Sequence, residues 1–165
     1  MGCSLVQGMR RFPVRELPSP GCPVLMDRAE SHHLLRVVGI APGEGVVLFD
    51  GRGRSCHAAL DRVEEGRARL RWTESLPQTL SSDFWLLMAV VRPKAFSSAV
   101  RMGTEIGVGH IVPVSCERSL SRGEKAARWE RLAESAAAQC GRSDIPSIHP
   151  VLSPGAALEL AGVPG

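Results

Sequence analysis

Between residues 10 and 72 the apolar positions come in short runs set apart by turn residues, a strand-like rhythm. Val46 to Phe49 is an apolar, largely β-branched run. It is entered through Pro42-Gly43-Glu44-Gly45 and left through Asp50-Gly51-Arg52-Gly53, a hairpin-type signal that makes Ser55 to Leu60 its predicted partner. Arg67-Ala68-Arg69-Leu70-Arg71-Trp72 then alternates polar and apolar, as a strand with one wet face should. Asp27 and Glu30 have the spacing of a helix N-cap and its third-residue partner. Leu34, Leu35, Val37 and Val38 supply an apolar helix face, and Gly39 stops it. The pattern predicts a small barrel-like β domain over about residues 9 to 72 with one helix.

Thr73 to Asp83 holds Pro77 and a cluster of Ser and Thr, the composition of a linker. Beyond it the period changes. Phe84 to Val91 is continuously apolar, which predicts a strand buried on both faces. Pro93 can open a helix whose Phe96, Ala99, Val100 and Gly103 fall at i, i+3, i+4 and i+7, and Gly107 to Gly109 ends it. His110 to Val114 is a second strand. Trp129, Leu132, Ala133, Ala136, Ala137 and Cys140 form the clearest helical stripe, which places Cys140 in the core, and Gly141 stops it. Ile145 to Val151 gives a third strand and Ser153-Pro154 opens a last helix. Strand and helix alternate, so a parallel α/β sheet is expected over about residues 83 to 165. A further strand would be due where the sequence reaches Gly165, so this second domain reads as the opening part of a larger one.

Composition narrows the class. The 165 residues are 44% hydrophobic and 22% charged, values of an ordinary globular protein. The longest apolar run is far below the roughly 20 residues that span a bilayer, and Met1 to Gly8 lacks the order of charge and apolar residues of a signal peptide. A cytoplasmic protein without a membrane partner is expected. The formal charge is only +3, yet all but Lys94 and Lys125 of the 20 basic residues are arginine, the planar donor suited to phosphates and base edges. Codon usage alone can produce such a bias. The cysteines are scattered without Cys-x-x-Cys pairs or histidines at zinc spacing, so neither a disulfide framework nor a metal site is expected.

Catalytic signatures such as Gly-x-Ser-x-Gly, the phosphate loop and His-Glu-x-x-His are absent. Three basic clusters stand out instead: Arg10 and Arg11 before Phe12, His32 and His33 with Arg36, and Arg52 and Arg54 at the hairpin tip. Each alone reads as a solvated surface. Together on one small β domain, Arg10, Arg11, His33, Arg36, Arg52 and Arg54 form a candidate RNA-binding face, since such domains present loops and strand faces to RNA.

Several segments carry a family resemblance. Met9-Arg10-Arg11-Phe12, His32-His33-Leu34-Leu35-Arg36-Val37 and Phe49-Asp50-Gly51-Arg52-Gly53 resemble, in order and spacing, the N-terminal domain of the ribosomal RNA small subunit methyltransferase E family. Thr104-Glu105-Ile106-Gly107-Val108 is similar to that family's Thr-Glu-Leu-Gly-Val. Ser115-Cys116-Glu117-Arg118-Ser119 is similar to its Ser-Glu-Arg-Ser segment, and Gln139-Cys140-Gly141-Arg142 with Ile145-Pro146 to its Glu-Gln-x-Gly-Arg and Ile-Pro segments. The departures are Ala138 for Glu, Arg101-Met102 for Gln-Lys, and Ile106 for Leu.

The resemblance implies an N-terminal PUA-like RNA-binding β barrel and the N-terminal part of a SPOUT α/β knot methyltransferase domain. It implies transfer of a methyl group from S-adenosylmethionine to N3 of a uridine in 16S rRNA or the assembled small subunit, by a cytoplasmic homodimer. Uracil N3 must lose its proton, so the site must stabilise negative charge on O2 and O4, a task for arginine or backbone donors. The residues implied at that site are Arg118, Gln139 and Arg142, with Glu105 orienting neighbouring donors. Pairing of Glu105 with Arg101 on an exposed helix face is the alternative. The family's Gly-Pro-Glu-Gly-Gly loop and knot strands, which hold S-adenosylmethionine, have no counterpart before Gly165, so no cofactor-binding residue is expected within this chain. The rival expectation is a catalytically inactive RNA-binding remnant of the enzyme. An unrelated nucleotide-binding α/β domain is disfavoured because no phosphate-cradling loop is present.

Overall fold

The computed structural model describes residues 9–17, 19–79, 82–117 and 126–163. The chain divides between Gln78 and Thr79 into two compact units, a division that falls inside the Thr73 to Asp83 stretch.

The first unit begins with two short strands, β1 (Arg11–Pro13) and β2 (Pro23–Leu25). Helix α1 (Arg28–His32) follows, opened by a reciprocal capping box in which Glu30 N donates to Asp27 and Asp27 N donates to Glu30. It continues into a π-helical turn over His33–Val38, where the wider winding lets Gly39 N reach Leu34 O. Strands β3 (Gly45–Phe49), β4 (Ser55–Glu64) and β5 (Arg67–Ser75) complete a sheet of order β1-β3-β4-β5-β2, in which only the β1–β3 pair is parallel. Glu65 and Gly66 join β4 to β5, both at positive φ (48° and 77°), as a tight hairpin with right-handed twist requires.

Two expectations need correction here. Among the described residues no ladder joins β1 to β2, so the sheet is open where a closed barrel was expected. Both edge strands are three residues long, and Pro13 and Pro23 remove donors that closure would need. Strand β5 also runs on through Thr73, Glu74 and Ser75, which the sequence assigned to the linker. Its pairing with β4 persists as far as Cys56 opposite Ser75.

One face of this sheet makes the core. Phe12, Val46, Leu48, Ala58, Leu60, Ala68 and Leu70 pack with Met26 and Leu34, the period-2 selection of a half-buried sheet. Buried Ser31 ties α1 to it: its hydroxyl donates to Met26 O at 3.4 Å and accepts from Ala68 N at 3.0 Å.

The second unit alternates strand and helix: β6 (Trp85–Ala89), α2 (Pro93–Ile106), β7 (His110–Val114), α3 (Ala126–Cys140), β8 (Ser147–Ile148) and α4 (Pro154–Leu160). Its strands are parallel in the order β6-β7-β8. On one face Leu86, Ile111 and Ile148 meet Phe96 and Val100 of α2 and Trp129 and Ala133 of α3. On the other, Leu87, Val112 and Val114 meet Ala157 of α4. The residues of β6 are half-buried, where burial on both faces was expected. Strand β8 has two residues in place of seven, because Pro146 and Pro150 bracket it and only a single bridge, Val114 to Leu152, extends the pairing. Cys140 is exposed, contrary to its assignment to the core: it is the last residue of α3, and the buried positions of that helix end at Ala137. Among the described residues no helix is long and apolar enough to cross a membrane.

Candidate functional site

The basic residues of the β unit separate into four places. Arg10 reaches across to the helical segment and donates through Nη1 to Val38 O at 2.7 Å. Beside it, the Phe12 ring meets His33 edge-on at 5.9 Å between centroids. Arg10 and His33 therefore share one edge of the sheet, with a π-helical turn between them.

Arg11 lies on the opposite face. Its guanidinium stands 5.4 Å from the Phe49 ring centroid, and Phe49 alternates with the core-facing Leu48. Arg36 is exposed and borders a different groove, with Arg28, His32 and the β4–β5 turn. The six residues thus do not make a single face: successive residues of a strand point to opposite sides, and Arg10 and Arg11 are successive.

The hairpin tip is tied together by hydrogen bonds to Asp50. Asp50, with its side chain only 1% exposed, accepts hydrogen bonds from Arg52 N at 2.8 Å and Arg54 N at 3.1 Å, and its second oxygen accepts from Arg54 Nε at 2.7 Å. Burial works to raise the Asp50 pKa. The hydrogen bonds from Arg52 and Arg54 and the Arg54 charge outweigh it and hold the carboxyl below its ordinary value. Arg54 is consequently a fixed cation, and Arg52 projects from a fixed loop with its side chain exposed.

In the second unit three of the four implied site residues, Glu105, Gln139 and Arg142, lie at the amino ends of the strands. Arg142 Nη2 donates to Asp144 at 2.6 Å, and Asp144 is buried. The guanidinium lies on the backbone of Gly107, where an added Cβ would come within 2.7 Å of Nη1. Gly107 has φ +86° and accepts a hydrogen bond from the Ser82 hydroxyl on its carbonyl. Arg142 thereby joins the end of α2 to the end of α3, just ahead of β7 and β8. Glu105 and Gln139 are exposed at the same side, and no ion pair joins Glu105 to Arg101. Ligands in open parallel sheets bind at the opposite, carboxyl ends of the strands. Ser115, Cys116 and Glu117 leave β7 there, and Arg118, the next residue, lies outside the described residues.

A ring cluster at the sheet's amino end escaped the sequence reasoning. Trp85 stacks on His110 at 4.0 Å and 11° and on His149 at 5.2 Å, and His110 Nδ1 lies 3.1 Å from His149 Nε2. Burial first, and the His110 ring second, push the His149 pKa down. The signal was available in principle, since Trp85 and His110 open two strands that pair in parallel register.

A β unit with basic edges followed by a unit of parallel strands and helices defines a mixed α/β protein of two parts. Residues 78–161 match the model of a family described as an RNA methyltransferase domain. The ribosomal RNA small subunit methyltransferase E of Synechocystis sp. is 30% identical over 143 residues, covering 86% of this chain and 47% of the relative. That of Mycobacterium bovis is 29% identical over 150 residues, covering 86% and 57%. Among solved structures, the ribosomal RNA small subunit methyltransferase E of Neisseria gonorrhoeae bound to S-adenosyl methionine is 30% identical. It superposes with a TM-score of 0.82 over 92% of this chain and 65% of that one. The chain belongs to this RNA methyltransferase family, with the ribosomal RNA small subunit methyltransferase E proteins. It spans about half the length of the curated relatives it matches.

The cofactor can be tested against the residues at the carboxyl ends of the strands. They offer Arg92, Ser115 and Glu117 among Val90, Val91, Val151 and Leu152. Two backbone donors there are already used within the sheet, Val90 N to Val114 O at 2.9 Å and Ser115 N to Leu152 O at 2.7 Å. S-adenosylmethionine needs partners for an adenine edge, two ribose hydroxyls, a carboxylate and an ammonium group. The residues at these strand ends do not by themselves supply that set of partners.

Proposed function

We propose that this chain is the RNA-holding part and the opening layer of the catalytic part of an S-adenosylmethionine-dependent methyltransferase acting on N3 of a uridine in 16S rRNA. The observation that carries this reading is the superposition across both units on the Neisseria gonorrhoeae enzyme bound to S-adenosyl methionine. In this reading residues 9–72 serve as a PUA-like RNA-binding domain and residues 83–165 as the first part of a SPOUT domain. The enzyme works as a cytoplasmic homodimer on 16S rRNA or the small subunit.

The residues of this chain act on the RNA. Arg10 and His33 at one edge, Arg11 on the other face, Arg36 beside its groove, and Arg52 and Arg54 at the tip supply cations along the path of the phosphates. Arg118 is assigned to the negative charge that develops on the uracil oxygens. Arg142, with Glu105 and Gln139 beside it, acts as a positioning residue by holding α2 and α3 at their ends.

A second reading, RNA binding without methyl transfer by these residues alone, is favoured by the sparse donor set at the strand carboxyl ends. S-adenosylmethionine is then held by residues other than the described ones. Calorimetry with S-adenosylmethionine, run beside transfer of labelled methyl groups to small subunits, separates the two. The expected result for the 165-residue chain is rRNA binding without micromolar cofactor binding and without transfer. Stoichiometric micromolar cofactor binding would contradict the assignment of the cofactor site elsewhere, and loss of all rRNA binding would contradict the function itself.

A further inference from the structure

Trp72 is the one tryptophan of the β unit, and it borders a cavity that neither the sequence motifs nor the family match accounts for. The cavity has a volume of about 450 Å³ and lies between the β1–β2 loop and the ends of β4 and β5. Trp72 and Leu17 give it an apolar wall. Arg54, Ser75, Gln78 and Glu16 supply its polar groups. Trp72 is half-buried and packs against the core, so its indole is held in place with part of its surface open.

Arg54 is held as firmly. Its Nε is fixed at 2.7 Å on buried Asp50, while its side chain remains 59% exposed, leaving the other guanidinium nitrogens to face a ligand. A rigid aromatic wall beside a pre-oriented guanidinium is the pairing that receives a nucleobase and its phosphate. The stack tolerates any base, and the fork of donors suits phosphate oxygens. Ser75 and Gln78 can each donate and accept, and Glu16 accepts, the group types that pair with the two carbonyl acceptors and the N–H donor on the edge of uracil. The volume lies within the usual range for small-ligand sites, about 300–1,000 Å³.

We infer that this cavity binds a single nucleotide, the base against Trp72 and the phosphate on Arg54. In the enzyme proposed above, on whose RNA-binding reading the source of the ligand rests, that nucleotide is one presented by the RNA strand. The site would let the β unit grip a splayed-out nucleotide in addition to tracking the backbone.

Calorimetric titration of the 165-residue chain with uridine 5′-monophosphate and with uridine tests the site without RNA. The monophosphate is expected to bind at one site per chain. Trp72→Leu should weaken it about tenfold or more, in line with the effect of removing one aromatic stacking partner, while Trp72→Phe retains most of the affinity. Arg54→Gln should weaken the monophosphate and leave uridine unchanged. Arg101→Gln, on α2 of the other unit, should change neither. Thermal melts of each variant separate lost binding from lost folding.

A parallel titration uses a single-stranded RNA dodecamer and the same strand with one abasic nucleotide. Wild-type protein is expected to bind the abasic strand more weakly than the intact one, a discrimination that Trp72→Phe keeps and Trp72→Leu loses. Dodecamer binding without any monophosphate binding overturns the site and leaves the RNA-binding function standing. Monophosphate binding without dodecamer binding supports the site for a free nucleotide and overturns that function. Equal monophosphate affinity in wild type and a folded Trp72→Leu overturns the site.

Discussion

His149 sits in a ring cluster with Trp85 and His110 at the amino end of the parallel sheet, and its pKa is lowered by burial and by the neighbouring ring. The folded state therefore favours the neutral imidazole more than the unfolded chain does. With a folded pKa below the ordinary 6.5, the stability linked to this group is complete above about pH 6.5 and is lost as the pH falls through the window beneath it, where the unfolded chain takes up the proton first. The melting temperature is expected to drop between pH 7.5 and pH 5.5, and His149→Gln should flatten that drop. The same pH dependence in wild type and variant would contradict the assignment. Composition and periodicity gave no warning of this cluster because each histidine, taken alone, stands among apolar neighbours. Only the register that sets Trp85 beside His110 brings the rings together. Asp50 was hidden in the same way: Arg52 and Arg54 are visible as a basic tip, but the buried carboxylate that fixes them looks like an ordinary turn residue.

At the scale of elements, Gly107 and Arg142 couple two helices whose motifs are 35 residues apart in the sequence. A side chain at position 107 meets two costs. A φ of +86° disfavours any L residue, and the Cβ displaces the Arg142 guanidinium from its 2.6 Å contact with Asp144. Gly107→Ala should destabilise by about 1–3 kcal/mol, and Arg142→Ala by a similar amount through the lost charged hydrogen bond. The two penalties should not add, because in Arg142→Ala the steric part of the Gly107 substitution is already gone. Urea melts of the four proteins measure the coupling, and strict additivity would contradict the contact. The motifs that hold these residues were legible in the sequence, and so were α2, α3 and the hairpin of β3 and β4. The ends of the elements were less so. Cys140 keeps the helical spacing of Trp129 and Ala136 yet faces solvent, because it closes α3 beyond Ala137, the last buried position of that helix. Strand β8 was overread because Ile145, Ile148 and Val151 are apolar, although Pro146 and Pro150 limit its ladder.

At the scale of the whole molecule, the change of period near residue 80 separates a β unit from an α/β unit, and the chain divides between Gln78 and Thr79. The open sheet of the first unit was not legible, since closure depends on whether two three-residue edge strands find each other rather than on any local pattern. The division of labour proposed for the two units makes the first a binder of RNA backbone, and backbone binding has a thermodynamic signature. Each phosphate contact releases condensed counterions, so log K falls linearly with log salt, by roughly 0.7 for each contact to a single strand. The most direct test is the affinity of the 165-residue chain for a 16S rRNA fragment measured from low to physiological salt, for wild type and for Arg52→Ala in the exposed tip. Steep salt dependence in the wild type, a slope shallower by roughly one contact in the variant, and an equal loss of affinity across RNA sequences are the predicted results. Salt-independent binding, or a slope unchanged by the substitution together with an unchanged affinity, would contradict it.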